Sequence, residues 1–514
     1  MVDVPAAAGH DVVVREVEYS CFDGSPFPVT FLDAGDVELR WVIDREHSPT
    51  AMSPLADAVR RIGRPGAERA FVDSGVPIPS WLLREPPLAN GFDYVADVPM
   101  PADEREEFAP AIELLTVRHG GTLGVWHQHS LPRAEAACTQ LREAPIDTTF
   151  AELARLRELA WGHTTVAGIV SQRDIRAVVA ACTEMFGGGA ELVAHRLAQG
   201  YGNDTIDADT DLWSIAGLEP GSVAAGVATR AFLDDSGSVA TSWSIDHPTL
   251  EERPDLLHVQ LGLLRRHPQR EIAASRRDAV ERRAQLAADV VARLPNAEAR
   301  QRFERAVSRL DAFVPVREAR ARWQLVASGL MRRAVRARGA VLAERGMVDV
   351  VDDVFFMTPT EYDRPPRDVR GAIAARRAEQ ERWASVIPPA TIGAASHDRT
   401  PATPGLLKGA PGAPGRTTGT ARVIRDLVDA HRLEPDDVLV AAMTSPPWTP
   451  LFGIVTAVVT DSGDVLSHVA IAAREYGIPC VVGTGHATAV LTDGARVTVD
   501  GDAGTVQMHG PHRR

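Results

Sequence analysis

The hydrophobic pattern changes character twice along the chain. Residues 1 to about 140 carry short β-branched or aromatic runs between Pro- and Gly-rich turns, which predicts strands at Val37–Ile43 and Thr122–Trp126. From about residue 147 the period becomes helical. Phe150, Leu153, Leu156, Leu159 and Ala160 share one face, and Trp323, Val326, Leu330, Ala334, Ala337 and Val341 repeat that spacing along a long helix. After Pro388 the stretch PPATIGAASHDRTPATPGLLKGAPG has no hydrophobic period and reads as an exposed linker. Beyond it, Val455 to Thr460 fits a buried strand that runs into the turn Asp461-Ser462-Gly463-Asp464. A helix is predicted next, with Ser467 as N-cap, Val469, Ala472, Ala473 and Tyr476 on one face, and Gly477-Ile478-Pro479 as its stop. The expected architecture is an α/β multidomain chain of mixed α+β type: a body at 1–385 (1–140 mixed, 141–385 mainly helical), a linker at 386–403 and a C-terminal domain at 404–510.

Composition narrows the class. With 514 residues the chain has room for several domains. No apolar run approaches the length of a membrane span, and MVDVPAAAGHDVVV lacks the order of a secretory signal, so a cytoplasmic location and no membrane partner are expected. Cys21, Cys138, Cys182 and Cys480 are widely spaced and read as buried small hydrophobes. The net charge of −14 opposes nucleic-acid binding. From Arg265 to Arg345 there are 20 arginines and 9 acidic residues, so this segment contributes +11 and the remainder −25. A solvated helical face accounts for such a run, and a docking surface for an acidic partner or a phosphate-bearing ligand is the sharper alternative.

The chemistry concentrates at His468. A histidine in the first turn of a helix sits where unpaired backbone N–H groups and the positive end of the helix dipole converge, so an anion attached to its ring is held there. Neutral imidazole is also a competent nucleophile toward phosphorus. Asp-Ser-Gly, the triplet of the paired-carboxylate aspartic proteases, occurs three times, at Asp73, Asp235 and Asp461. The strongly helical middle argues against that reading, and the triplet is common turn chemistry.

Gly463, Ser467-His468, Ala470-Ile471, Arg474-Glu475 and Gly477-Ile478-Pro479, continuing into Val481-Val482-Gly483, resemble the phosphohistidine swivelling domain of the phosphoenolpyruvate-utilising enzymes. The resemblance runs from about Pro404 to Gln507 and includes Gly412 to Val423, Thr444 to Pro450 and Asp493-Gly494. It implies a β/β/α carrier domain in which His468 becomes phosphorylated, with Ser467, Gly463 and Arg474 around the phosphoryl group. Trp41 to His47, Gln199 to Thr205, Asp211-Leu212-Trp213, Val316-Arg317-Glu318 and Asp353 to Thr358 are similar to the acceptor-binding domain of the rifampicin phosphotransferases and phenylphosphate synthases. That similarity implies an acceptor-binding body for a small, aromatic or apolar alcohol. His47 is then the candidate base, with Asp44 or Asn203 orienting it and Thr205 nearby. One departure is visible: where family members carry Gly-His-Arg, this chain has Gly237-Ser238-Val239.

Lys408 is the sole lysine, and no Gly-x-x-x-x-Gly-Lys loop occurs. The resemblance therefore implies that ATP and Mg²⁺ act through a partner, an ATP-grasp protein, and that no metal is held by this chain. His127 and His129 would share a face of a strand, but no third ligand lies near them in sequence. The expected function is that of the phosphocarrier and acceptor-binding subunit of an ATP-dependent phosphotransferase. The alternative is a regulatory or scaffold phosphoprotein, akin to phosphoenolpyruvate synthase, without small-molecule transfer.

Overall fold

In a computed structural model of the protein, residues 15–267, 272–394 and 405–509 are described. They form two compact units, each built from several stretches of chain: the described residues of 15–166, 242–248 and 323–394 in one, and those of 167–241, 249–322 and 405–509 in the other. This division does not follow the linear boundaries near 385 and 404, because the C-terminal block packs with the helices of 167–322.

In the first unit, Arg15–Ser20 pairs antiparallel with Pro26–Phe31, and Arg40–Ile43 lies between Tyr94–Ala96 and Thr391–Gly393 in a second small sheet. Phe27, Trp41, Tyr94, Trp383 and Ile392 fill the core there, with the Trp383 ring edge-on to Phe27 at 5.5 Å. The strand Thr391–Gly393 corrects part of the linker expectation. Ile392 is fully buried, and the Gly393 amide donates to the Tyr19 hydroxyl, so a segment with no visible period is held by one side chain and by its pairing with Arg40–Val42. Residues 395–403 of that linker lie outside the described residues.

The helix Pro54–Ser74 crosses the first half of Phe150–Phe186 at unusually close range. A Cβ on Gly66 would sit 2.0 Å from the Arg155 carbonyl oxygen, and one on Gly63 would sit 2.5 Å from that of Ala154. Gly162 presents the matching gap on the partner helix, against Ala70. The helical readings at 150–160 and 323–341 both stand as helices, Phe150–Phe186 and Leu310–Glu344. The buried face of the second is displaced from the expected one. Leu325, Met331, Val335 and Leu342 face inward with Val326 and Leu330, whereas Ala337 is exposed.

Thr122–Trp126 is not a strand. Thr122–Gly124 is helical and leads through a π-helical turn, Val125–Ser130, into Leu131–Arg142. His127 and His129 therefore do not share a face: His127 is exposed, while His129 is buried and bonds the Ser74 hydroxyl at 2.9 Å. β-Branching over a few residues cannot separate strand from helix when the tertiary environment decides. Two of the three Asp-Ser-Gly triplets likewise end helices, Pro54–Ser74 and Val223–Ser236, rather than strands.

The second unit holds an eight-stranded sheet. Its central strands Arg416–Val423, Asp437–Ala441, Ala457–Thr460 and Cys480–Val482 run parallel, and antiparallel strands flank them. Val438, Val440, Ala457, Val459, Val481 and Val499 are fully buried in its core. The C-terminal β/α domain stands as expected, with helices of the 167–322 stretch beside it, among them Asp204–Ala216, Val223–Ser236 and Ile272–Arg293. All four cysteines are buried and unbridged. No helix among the described residues is long and apolar enough to cross a membrane.

Candidate active site

The buried strand Ala457–Thr460 delivers the chain into a turn fixed from below. Asp461 accepts hydrogen bonds from the amide and hydroxyl of Thr488, and Gly463 takes φ +101°, a conformation open to glycine. A Cβ at Gly463 would also lie 2.8 Å from Ser467 Oγ. Ser467 occupies the N-cap position, but its hydroxyl donates back to the Asp464 carbonyl at 2.6 Å instead of capping the helix. The helix His468–Tyr476 follows, ended by Gly477 in the left-handed region. The helix ladder begins with Ile471 donating to Ser467, so the amides of His468, Val469 and Ala470 lie ahead of it. Every residue of this helix is buried, not one face alone, because it packs between the strand Ala410–Ala413, the run Pro446–Gly453 and the helix Ile272–Arg293.

Burial defines the electrostatics. His468 Nδ1 lies 2.6 Å from Glu318 Oε2, both side chains almost wholly shielded from water. Thr205 Oγ1 donates to the same carboxylate oxygen at 3.2 Å. Burial pushes the Glu318 carboxyl up, but His468, with Arg317 and Thr205, outweighs it and holds the group below the usual carboxylate range. An ionised Glu318 accepts the Nδ1 proton and so fixes the tautomer whose lone pair is on Nε2. A second carboxylate stands close by. Asp209 accepts from the Tyr476 hydroxyl at 2.7 Å and the Thr449 hydroxyl at 2.9 Å, tying the His468 helix and the Pro-rich loop to Asp204–Ala216.

The candidates read from the sequence fall into two groups. Gly463, Ser467, His468, Thr205 and Asn203 lie in the second unit, where Asn203 caps the helix Asp204–Ala216 by accepting from the Ile206 amide at 3.0 Å. His47, which the sequence pattern offers as its partner, lies in the first unit. Arg474 is buried in the last turn of its helix and donates to the Val465 carbonyl at 2.7 Å, bracing the turn that precedes His468. Burial lowers its pKa to about 10.

Asp44 and His47 lie in the first unit, 2.8 Å apart, with the imidazole edge-on to Trp161 and Trp243. Burial pushes Asp44 up, and His47 and Arg60 overcome it and take the carboxyl down to about 2. Glu318, Asp209, Thr449 and Tyr476 had no assigned role in the sequence reading. Glu318 and Thr449 fell inside quoted motifs and Tyr476 on the helix face, but their pairing left no signal, because a contact across 150 positions, such as that of Glu318 with His468, leaves no mark in local spacing.

Burial also pushes Asp209 up to about 7, against the pull of Tyr476 and Thr449, and pushes Glu475 up to about 7 against the Gly200 amide. Both folded values exceed the ordinary ones of 3.8 and 4.5, so the folded state retains protons that the unfolded chain releases. Their stabilisation is complete below the ordinary values and is lost as pH rises through about 7. The melting temperature of the second unit is therefore expected to fall from about pH 4.5 to about pH 7 and to level off above, the window between the ordinary and the raised values, with a shallower slope in Asp209→Asn. A rise over the same window would contradict these assignments.

Residues 433–504 match the model of the PEP-utilising enzyme mobile domain. Chondramide synthase of Chondromyces crocatus is 28% identical over 94% of this chain and 14% of its own length. An uncharacterized protein of Mycobacterium tuberculosis is 38% identical over 37% of this chain and 23% of its own. Rifampicin phosphotransferase of Streptomyces sviceus is 30% identical over 58% of this chain and 36% of its own. The chain thus spans between 14% and 36% of the length of these relatives. Over residues 433–504 the chain is similar to the PEP-utilising enzyme mobile domain, and over a longer stretch it resembles the rifampicin phosphotransferases.

Proposed function

We propose that this chain is the acceptor-binding and phosphocarrier part of a phosphotransferase, with His468 Nε2 as the atom that carries the phosphoryl group. The observation behind this reading is the Glu318–His468 pair. A carboxylate on Nδ1 leaves Nε2 as the nucleophilic nitrogen, at a helix start whose first-turn amides can donate to negative oxygens. On charging, the Nε2 lone pair forms the bond to phosphorus as the donor's P–O bond breaks. On delivery, an alcohol oxygen displaces the nitrogen, which recovers its electron pair, and the hydroxyl proton passes to a base. Mg²⁺-bound ATP supplies the activated phosphoryl group. With Lys408 as the sole lysine, we place that nucleotide on a separate ATP-grasp chain, and we assign no metal ligand here.

The 404–510 segment is the piece that swings in this reading, after the pattern of carriers that visit two sites. A match covering 94% of the chain within a much longer synthase supports treating acceptor body and carrier as one functional block. A cytoplasmic site of action is part of the same proposal. The test needs no partner. Phosphoramidate, a small-molecule phosphoryl donor, should place acid-labile phosphate on the full chain, and His468→Asn should acquire none. Equal labelling of His468→Asn sinks the carrier assignment.

A further inference from the structure

Within the second unit the helices Asp204–Ala216 and Val223–Ser236 and the run Pro446–Gly453 border an open cleft. Its walls are apolar: Leu212, Phe232, Val239, Leu250, Pro447 and Pro450. Gln260 braces the Pro-rich wall by donating to the Pro447 carbonyl at 2.5 Å. Polar atoms gather where Thr205 and Asp209 line the cleft. Thr205 is one hydrogen bond from Glu318, and Glu318 is one from His468. Asp209 is fully buried and is already bonded to a residue of the His468 helix, Tyr476. Asp204, Ser236 and Arg322 line it as well, Arg322 being paired with Asp235, and the apolar walls favour a flat body with one hydroxyl at the Thr205–Asp209 end.

We propose that this cleft is the acceptor pocket: it takes an uncharged aromatic alcohol with the hydroxyl at Thr205 and Asp209, and Asp209 accepts the hydroxyl proton during transfer. This rests on the carrier reading of His468. The alcohol oxygen bonds to phosphorus, the P–Nε2 bond breaks, its electron pair returns to the imidazole that keeps its Nδ1 proton against Glu318, and the alcohol proton moves to the Asp209 carboxylate. A carboxyl raised to about 7 suits a base working near neutral pH. The assignment keeps Thr205 as an acceptor residue and gives the role of base to Asp209 in place of His47.

The experiment uses the full chain with 2-naphthol as probe, and binding is read by saturation-transfer NMR. Wild type and His468→Asn are expected to bind it alike. Ala208→Trp, which fills the cleft, should weaken binding at least roughly tenfold, as one lost close-packed contact does. Asp204→Trp at the exposed rim serves as a second block should Ala208→Trp misfold. After charging with phosphoramidate, wild type should release 2-naphthyl phosphate, seen by phosphorus NMR, whereas Asp209→Asn should bind the probe yet transfer about a hundredfold more slowly. Binding undiminished by both blocking variants overturns the pocket while leaving the carrier intact. Binding without transfer from charged wild type overturns the acceptor role of the cleft. Failure of His468 to take phosphate at all overturns the carrier reading first and the acceptor role with it.

Discussion

Glu318→Ala is expected to slow phosphoryl uptake by His468 by on the order of 10²-fold or more, the range associated with a lost acid–base partner. The carboxylate lies 2.6 Å from Nδ1, and the pair is almost completely shielded from water. Alanine removes the acceptor that fixes the tautomer, so the ring can place its proton on either nitrogen and its reactive lone pair away from the donor. It also leaves a polar ring nitrogen facing a void, a desolvation cost of about 1–3 kcal/mol. Glu318→Gln keeps the volume and an amide oxygen for Nδ1, and it should recover part of the rate. The sign with pH follows from the lowered carboxyl. As pH falls through its folded value, below the ordinary 4.5, the carboxylate is protonated and both the pair and its stabilisation are lost. Timed phosphoramidate labelling of the two variants, quantified by intact mass, checks the prediction. An unchanged rate in Glu318→Ala would show that the ring is oriented by other contacts.

Alanine is expected to act with opposite sign at two helical glycines. Gly66→Ala should destabilise the first unit by about 2–3 kcal/mol, the cost of forcing an atom into a closed contact. Its Cβ would stand 2.0 Å from the Arg155 carbonyl oxygen and 2.8 Å from the Leu159 amide nitrogen. Those atoms belong to helix backbone, so relief requires moving the helices apart, and Ala67, Ala70 and Ala154 would lose contact together. Gly226→Ala, by contrast, adds a Cβ with nothing within 4 Å in the exposed helix Val223–Ser236. It removes unfolded-chain entropy and should stabilise by about 0.4–1 kcal/mol. Melting curves read both, with about 2–4 °C per kcal/mol in units of this size. A neutral Gly66→Ala would mean the helices do not approach as closely as described.

Local chemistry explains which features were legible in advance. Asp461-Ser462-Gly463 needs a residue tolerant of φ +101°, and Gly477 needs the left-handed region, so the turn and the end of the His468 helix are written in residue type. The helix Phe150–Phe186 is legible because its apolar spacing persists over many turns. The strand Thr391–Gly393 was hidden because three residues give no period, and its stability comes from pairing with Arg40–Val42 far away in sequence. Thr122–Trp126 misled for the converse reason: its β-propensity was real but weaker than the packing of the helix that continues through it. At the site, His468 declared itself by position, whereas Glu318 and Asp209 became visible only when distant helices met. A carboxylate in a helical sequence looks the same whether it faces water or an imidazole.

The buried cysteines have a practical outcome for testing whether the proposed carrier segment moves. Burial pushes the thiols of Cys138 and Cys480 up to about 12 and that of Cys182 up to about 11, and raises that of Cys21. The thiolate is the species that reacts, so alkylating dyes and mild oxidants meet a chain that is chemically silent at neutral pH. One exposed cysteine introduced within 405–509 and one on the first unit would then take a fluorophore pair without removing any native cysteine.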